Sequence, residues 1–273
     1  MSIDEIYQQK WRKFLRRVWP FNFIPFVDFI LAAGSLATGN PRTQRAEQSS
    51  YDGNPRTQRA EQSSYDGNMN ENSDFDVIVG VRQGRIFTAR AFCILVFGLL
   101  GWRRKGTDHK NSASDKICFS HFMTPAAYRL SPPHNEYWKN LYKNLVPVYG
   151  EPAVIQKFFD ANADWTGPVR GSEGSSHTSS LRDKQLASAS NGIGRYMNDY
   201  RYKYQKKGLF KRFLEWRWFG IWANWLEKAL KEIQIARIEN SLKTNAGYKP
   251  RIIYNDNELE FHPDTKRIEN FLQ

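Results

Sequence analysis

Two short motifs contain residue types that could bind a charged ligand. Gly34 and Ser35 follow one apolar run, and Asp74 and Asp76 stand at the start of a second run rich in β-branched residues. Carboxylates at positions i and i+2 of a strand project from the same side, so they can share divalent cations. A glycine lets the backbone approach phosphate groups, and a serine hydroxyl can donate hydrogen bonds to them. These residues therefore predict a site for a metal-bound phosphate ligand.

A tandem repeat separates the two motifs. Residues 39–68 contain the 14-residue unit GNPRTQRAEQSSYD twice and then its first two residues again. The unit has no aliphatic side chain larger than alanine, so it cannot build a core, and we interpret it as an inserted loop. Of the 38 residues between Ser35 and Asp74, removal of the 28 in two units leaves ten. Either the repeat is a solvated loop, or its arginines reach a triphosphate or nucleic acid: Arg42, Arg45, Arg56 and Arg59.

With the repeat removed, the motif spacing resembles the signature of the DNA polymerase beta-like nucleotidyltransferase superfamily, especially its minimal members. The resemblance covers about residues 25–124. The matching residues are Gly34, Ser35, Gly39, Ser73, Asp74 and Asp76. It implies an enzyme that transfers a nucleoside monophosphate from a nucleoside triphosphate, such as ATP, to an acceptor. Members of this superfamily use the same metal site to modify proteins, RNA or small molecules, so the resemblance implies one of these acceptor classes.

The resemblance also implies roles for individual residues. Gly34, Ser35 and Ser73 would bind the nucleotide, and Asp74 and Asp76 would hold Mg²⁺ or Mn²⁺ and act in catalysis. In the family, the cation bridges the triphosphate and neutralises charge on the leaving pyrophosphate.

The family's third metal-binding carboxylate normally comes from a neighbouring strand, and this chain departs from that pattern. The expected strand, residues 116–124, contains Cys118 and His121 but no acid. Asp115, immediately before it, is the preferred third catalytic carboxylate, and Asp108 is a poorer candidate. If neither serves, the chain is expected to be a noncatalytic nucleotide- or nucleic-acid-binding regulatory module on the same fold.

The cysteines and the total charge give further expectations. Cys93 and Cys118 lie in apolar runs and match none of the usual structural zinc spacings, so both are interpreted as core residues of a protein from a reducing compartment. With no evident signal peptide and no apolar run of the roughly 20 residues that a spanning helix needs, a cytoplasmic protein without a transmembrane segment is expected. The formal charge of +12 favours a polyanionic partner.

The order of the structural elements predicts an α+β fold, with a mixed sheet, packed helices and a mostly helical C-terminal region. Strands are expected at residues 26–33, 76–81 and 116–124, and helices around residues 11–18, 86–100, 136–145 and 153–161. The predicted divisions are a nucleotidyltransferase-like domain (1–150), a helical connection (151–165), a flexible linker (166–194) and a basic, aromatic-rich region (195–273). A weak signal near the end of the chain adds a short pair of strands.

The C-terminal region offers a second site for a polyanion. Residues 195–217 carry eight basic and two acidic side chains interleaved with aromatic rings. Basic groups can contact phosphates while rings stack on unpaired bases, although a solvated helix face with core aromatics is the alternative. The candidate nucleic-acid contacts are Arg201, Lys203, Lys206, Lys207, Lys211 and Arg212. Residues 215–228 could instead lie on a membrane surface, but a long amphipathic helix with Trp222, Trp225 and Ile233 on its apolar face is preferred.

Overall fold

The structure is a computed structural model. It describes residues 3–38, 73–105, 114–132, 134–166, 193–196, 199–202, 208–217, 221–244 and 251–262. The tandem repeat and nearly all of the expected linker lie outside these residues.

The described residues form a mixed six-stranded sheet with packed helices, which confirms the α+β class. The strands are β1 (Val27–Ala32), β2 (Phe75–Val81), β3 (Ile117–Met123), β4 (Val146–Gly150), β5 (Arg251–Tyr254) and β6 (Glu258–His262). The helices are α1 (Ile3–Arg17), α2 (Gly34–Thr38), α3 (Ile86–Leu99), α4 (Glu136–Asn144), α5 (Pro152–Thr166), α6 (Leu209–Arg217) and α7 (Ile221–Thr244). The order across the sheet is β4-β1-β2-β3-β6-β5.

The centre of the sheet is formed by β1, β2 and β3. Strand β1 pairs antiparallel with β2, and β2 pairs parallel with β3. Successive side chains of a strand point to opposite faces of the sheet. In β2, Phe75 packs on Phe14 of α1 with ring centroids 5.2 Å apart, so the next residue, Asp76, points to the other face. This alternation places Phe75 against α1 and leaves the Asp76 carboxylate on the opposite face.

Strand β4 was not predicted from the sequence. Residues 146–150 lie between two helical patterns, and a short apolar run has too few positions to distinguish a strand from a helix by periodicity. The strand occupies an edge of the sheet, where Pro147 pairs with Leu31 of β1. Proline has no N–H to donate to a neighbouring strand. An edge strand tolerates this because one of its sides has no neighbour to pair with.

The C-terminal strands belong to the same sheet as the N-terminal ones. Strand β6 pairs antiparallel with β3, and β5 pairs with β6, which confirms the expected strand pair. Helix α6 is also tied to the sheet, because Glu215 accepts a hydrogen bond from Phe26 N at 3.1 Å and pairs with Arg82 at 2.6 Å. The predicted division at residue 150 therefore does not coincide with an end of the sheet.

Helix α7 confirms the expected long helix, but its aromatic face is turned outward. Trp222 and Trp225 are 74% and 64% exposed. Other apolar residues of the helix, Leu230 and Ile235, pack against the core. Polar contacts add to this docking, since Glu227 accepts hydrogen bonds from Phe87 N and Thr88 N, each at 2.9 Å. These amides lie in the first turn of α3, where a helix leaves N–H groups without intrahelical partners. The expected contribution of Trp222 and Trp225 to the packing is therefore wrong, and the Glu227 carboxylate joins the two helices.

Candidate metal centre

The end of β1 and the start of β2 bring the two sequence motifs together. Ala33 N donates a hydrogen bond to Asp76 O at 2.9 Å. Gly34 follows with a φ of +62°, and a Cβ atom at this position would lie 2.2 Å from Asp76 Oδ2. Glycine is required on both counts, because other residues rarely adopt this φ and no side chain fits beside the carboxylate. Ser35, half-buried, comes next in α2.

A third polar side chain joins the two aspartates. In the parallel register of β2 and β3, Asp76 lies opposite Cys118, and paired residues point to the same face. One ligand atom from each of Asp74, Asp76 and Cys118 lies within 4.8 Å of the other two. The three side chains form what we call the Asp-Asp-Cys cluster, which is half-buried. The sequence predicts Cys118 as a core residue because local patterns do not fix the register between the two strands.

The side chains of the cluster shift one another's pKa values. Burial and the neighbouring Asp74 carboxylate raise the pKa of Asp76 to about 7, although Arg104 and a hydrogen bond with Cys118 oppose the shift. Burial and the two carboxylates also raise the pKa of the Cys118 thiol. Placing like charges together in a desolvated site disfavours the ionised forms. Such an arrangement is a feature of functional sites.

Arg104 balances part of this negative charge, and sequence reasoning missed it. The segment that carries it runs beside β3, with Ile117 N donating to Trp102 O at 2.7 Å and Arg104 N donating to Ile117 O at 2.9 Å. From there the Arg104 guanidinium forms an ion pair with Asp74. Burial would lower the pKa of Arg104, but the Asp74 carboxylate outweighs it and raises the pKa. The sequence signals this residue only through a short basic run after α3. The direction in which the Arg104 side chain points depends on the bridge between this segment and β3.

Asp115, the predicted third carboxylate, lies outside the Asp-Asp-Cys cluster. Its carboxylate pairs with Lys10 at 2.8 Å and with Lys13, and Arg17 donates to its backbone oxygen. Burial would raise the pKa of Asp115, but the two lysines outweigh it and lower the pKa. The residue has a φ of +64°, so the chain bends sharply just before β3 and turns this carboxylate toward α1. Its contacts hold α1 to the sheet.

Ser73, a predicted nucleotide-binding residue, lies where the chain enters β2. Its backbone oxygen accepts hydrogen bonds from Lys10 Nζ at 2.8 Å and from Asp115 N at 3.1 Å. The start of β2 is thus fixed by the same contacts that hold α1. Asp74 and Asp76 follow directly, so these contacts also position the carboxylates. The other candidate acid, Asp108, lies outside the described residues.

A second group of ligating side chains lies between β3 and β6. The Nε2 atom of His121 is 3.0 Å from Glu258 Oε1, and Glu260 lies opposite His121 in the strand register. One ligand atom from each of the three is within 4.8 Å of the others, and all three residues are buried. The hydrogen bond between imidazole and carboxylate satisfies two buried polar groups, as a folded core requires. The contact between His121 and Glu258 joins β6 to β3.

The predicted nucleic-acid contacts have varied surroundings. Lys211 is fully buried, and its ammonium group donates to backbone oxygens and to the Tyr149 hydroxyl at 2.9 Å. Arg201 is paired with Asp199 at 2.5 Å. Arg212 is exposed. The remaining three candidates, Lys203, Lys206 and Lys207, lie outside the described residues.

The donors of the Asp-Asp-Cys cluster decide which cations fit it. Two carboxylates suit Mg²⁺ or Mn²⁺, which prefer oxygen ligands. A sulfur ligand suits softer cations such as Zn²⁺. Asp74 and Asp76 therefore fit the cation implied by the sequence resemblance, and Cys118 does not fit Mg²⁺.

Comparison with protein-family models, curated proteins and solved structures found no match to this chain. Among the helices of the described residues, none has both the length and the apolar character needed to cross a bilayer.

Proposed function

We propose that this chain is a divalent-cation-dependent nucleotidyltransferase, which transfers a nucleoside monophosphate from a nucleoside triphosphate to an acceptor. The proposal rests mainly on one observation, the contact between Gly34 and the Asp76 carboxylate. Because of this contact, a phosphate approaching the Gly34 backbone also approaches the two aspartates. A phosphate-binding turn and a cation-binding pair of acids are the two parts that nucleotidyl transfer needs in one place.

Individual residues have distinct tasks in this proposal. Asp74 and Asp76 hold the cation, which supplies positive charge to a bound triphosphate. Gly34 exposes its backbone to the phosphates, and Ser35 donates its hydroxyl to them. Arg104 adds a positive charge beside the same acids, which favours an anionic ligand.

The test combines binding and transfer. Each of the four common nucleoside triphosphates, labelled on the α-phosphate, is mixed with the protein and Mg²⁺ or Mn²⁺, and transfer of label to the protein, to added RNA or to small acceptors is measured. The double variant Asp74→Asn, Asp76→Asn should lose cation-dependent nucleotide binding by at least about 100-fold while its circular dichroism stays unchanged. The control, Asp160→Asn, changes an exposed acid on α5 and should bind like the wild type. Equal binding by the wild type and the double variant would remove the basis of the proposal.

A second candidate function is a noncatalytic nucleotide-binding module. The observation that favours it is the position of Cys118, which faces Asp76 from the neighbouring strand where a third acid would lie. Nucleotide binding that requires both aspartates, without transfer to any acceptor, would favour this candidate over the enzyme.

A further inference from the structure

We propose that Cys118 is a metal ligand, so that the Asp-Asp-Cys cluster selects Zn²⁺ over Mg²⁺. This inference rests on the proposed cation-binding role of Asp74 and Asp76, but it does not depend on nucleotidyl transfer. It concerns the identity of the ion that the site holds and the side chain that selects it.

The geometry supplies three ligands for a single ion. Metal ligands lie about 2.0 to 2.3 Å from Zn²⁺, so two ligand atoms of a tetrahedral ion are roughly 3.3 to 3.8 Å apart. The ligand atoms of the cluster lie within 4.8 Å of one another, so small side-chain rotations bring all three to a shared ion. Three protein ligands also leave one position of a tetrahedral Zn²⁺ for an outside ligand, such as a phosphate oxygen.

The pairing of β2 with β3 fixes the relative positions of these ligands. Cys118 and Asp76 lie on hydrogen-bonded neighbouring strands, and Asp74 lies one residue before β2 begins. Sites built on strands hold their ligands more precisely than sites on loops. The register of β2 and β3 shifts after this pair, between Asp76 and Ile78. A register irregularity of this kind re-aims nearby side chains and is frequent beside functional sites.

The charges of the cluster favour a cation that binds thiolate. With both aspartates ionised and Arg104 paired with Asp74, these groups carry a net charge of minus one. When Zn²⁺ binds, the S–H bond of Cys118 breaks, its proton goes to solvent and a Zn–S bond forms. The thiolate brings the protein charge to minus two, which the ion neutralises. Mg²⁺ does not bind sulfur, so the thiol keeps its proton and the site retains a positive charge in a half-buried position, which costs free energy.

Cd²⁺ provides a direct probe of the thiolate. It binds sulfur readily, and a Cd–thiolate bond gives an ultraviolet charge-transfer band that carboxylate and imidazole ligands do not produce. The chain has two cysteines, and Cys93 is buried in the core. We expect the wild type and the control Cys93→Ala to develop this band on titration with Cd²⁺, and Cys118→Ser to lack it. Zn²⁺ affinity, measured by competition with a chromogenic chelator, should fall at least about 10- to 100-fold in Cys118→Ser.

A complementary variant tests selectivity. Cys118→Asp replaces sulfur by oxygen, so its preference should shift toward Mg²⁺ and Mn²⁺ and its Zn²⁺ affinity should fall. Absence of the Cd²⁺ band in the wild type would overturn the inference, as would equal Zn²⁺ affinity in the wild type and Cys118→Ser. The latter result would assign any Zn²⁺ to other ligands, such as the buried group around His121. A Cd²⁺ band that needs Cys118, in a protein that transfers no nucleotide, would support this inference while contradicting the proposed enzyme.

Discussion

The α-carbon of Gly34 packs against the carboxylate of Asp76, so closely that a methyl group at residue 34 would lie 2.2 Å from Asp76 Oδ2. The residues belong to different motifs, and the tandem repeat separates them in the sequence. Their contact is set by the antiparallel pairing of β1 and β2, in which Ala32 lies opposite Val77. The position of the carboxylate beside the glycine is therefore a property of the sheet and does not require the repeat.

Substitution of this glycine should be unusually costly. Gly34→Ala combines an unfavourable φ with a clash against Asp76, and we expect it to lower the free energy of unfolding by roughly 3 kcal/mol or more. Gly84→Ala is the matched control, since Gly84 has a φ of +70° but nothing within 4 Å of an added Cβ. The control should cost only about 1 to 2 kcal/mol. Urea unfolding of the two variants measures the difference, and equal costs would show that Asp76 does not constrain residue 34.

The raised pKa of Asp76 should make stability depend on pH. The pKa of about 7 in the folded protein compares with 3.8 for an ordinary aspartate. Between these values the folded state keeps a proton that the unfolded state has lost, so the free energy of unfolding falls as pH rises from about 4 to about 7. Asp76→Asn stays neutral and should lack this contribution. It should be more stable than the wild type at pH 8, by up to a few kcal/mol, with little difference at pH 4.

Urea unfolding at several pH values without added metal tests this contribution of Asp76. Parallel stability curves for the two proteins across this range would contradict the assigned pKa. Asp74→Asn provides a contrast, because it removes the partner of Arg104. The asparagine at residue 74 should therefore not give the same gain in stability at high pH.

Asp115 should behave as a structural residue. Its lowered pKa means that it stabilises the fold above the ordinary aspartate pKa and loses this effect as pH falls through its folded value, below about 4. Asp115→Asn retains a residue that tolerates positive φ but loses the ion pairs with Lys10 and Lys13. We expect it to lower the free energy of unfolding by about 2 kcal/mol near neutral pH and to leave cation affinity within about twofold of the wild type.

The result for Asp115 distinguishes two assignments of the third ligand. A variant that folds normally but loses cation binding would make Asp115 the third carboxylate, as the sequence alone suggested. In that case the side chain must leave Lys10 and Lys13 when a cation binds. Comparison with Cys118→Ser under the same conditions decides which residue completes the site.

The strand signals explain why much of the fold could be predicted from the sequence. Strand β1 is a mostly apolar run that ends just before Gly34, and β2 is rich in β-branched residues. Helix α1 places Trp11 and Phe14 at helical spacing, so local patterns sufficed. Strand β4 was missed because its partner, β1, lies more than a hundred residues earlier in the chain. Long-range pairing leaves no local periodic signal in so short a segment.

The site was predictable only in part, for a related reason. The i and i+2 spacing of Asp74 and Asp76 is local, whereas the proximity of Cys118 depends on the parallel register of β2 and β3. A shift of one residue would turn Cys118 to the other face of the sheet. Sequence proximity favoured Asp115 as the third ligand, but its backbone bends toward α1, where Lys10 and Lys13 pair with its carboxylate.

Deletion of residues 41–68 should leave a folded protein of equal or greater stability. These 28 residues are two whole repeat units, and the new junction reads GSLATGNMNENSDFD. The contacts that fix the site lie outside the deletion, including those of Gly34 with Asp76 and of Ser73 with Lys10. Shortening the connection between Ser35 and Asp74 from 38 residues to ten lowers the entropy cost of closing it. The gain is about 1 kcal/mol, measured by thermal and urea unfolding.

A graded control separates loop length from sequence content. Removal of one unit, residues 41–54, should give a smaller gain of roughly 0.4 kcal/mol, because closure entropy depends on the logarithm of loop length. Cation-dependent nucleotide affinity should stay within about twofold of the wild type in both deletions if the repeat is a passive loop, since loop length alone is worth only about 1 kcal/mol. Aggregation, or a loss of nucleotide affinity that grows with each unit removed, would instead show that the repeat contributes to folding or to nucleotide binding. Its basic side chains would then be the ones to replace first: Arg42, Arg45, Arg56 and Arg59.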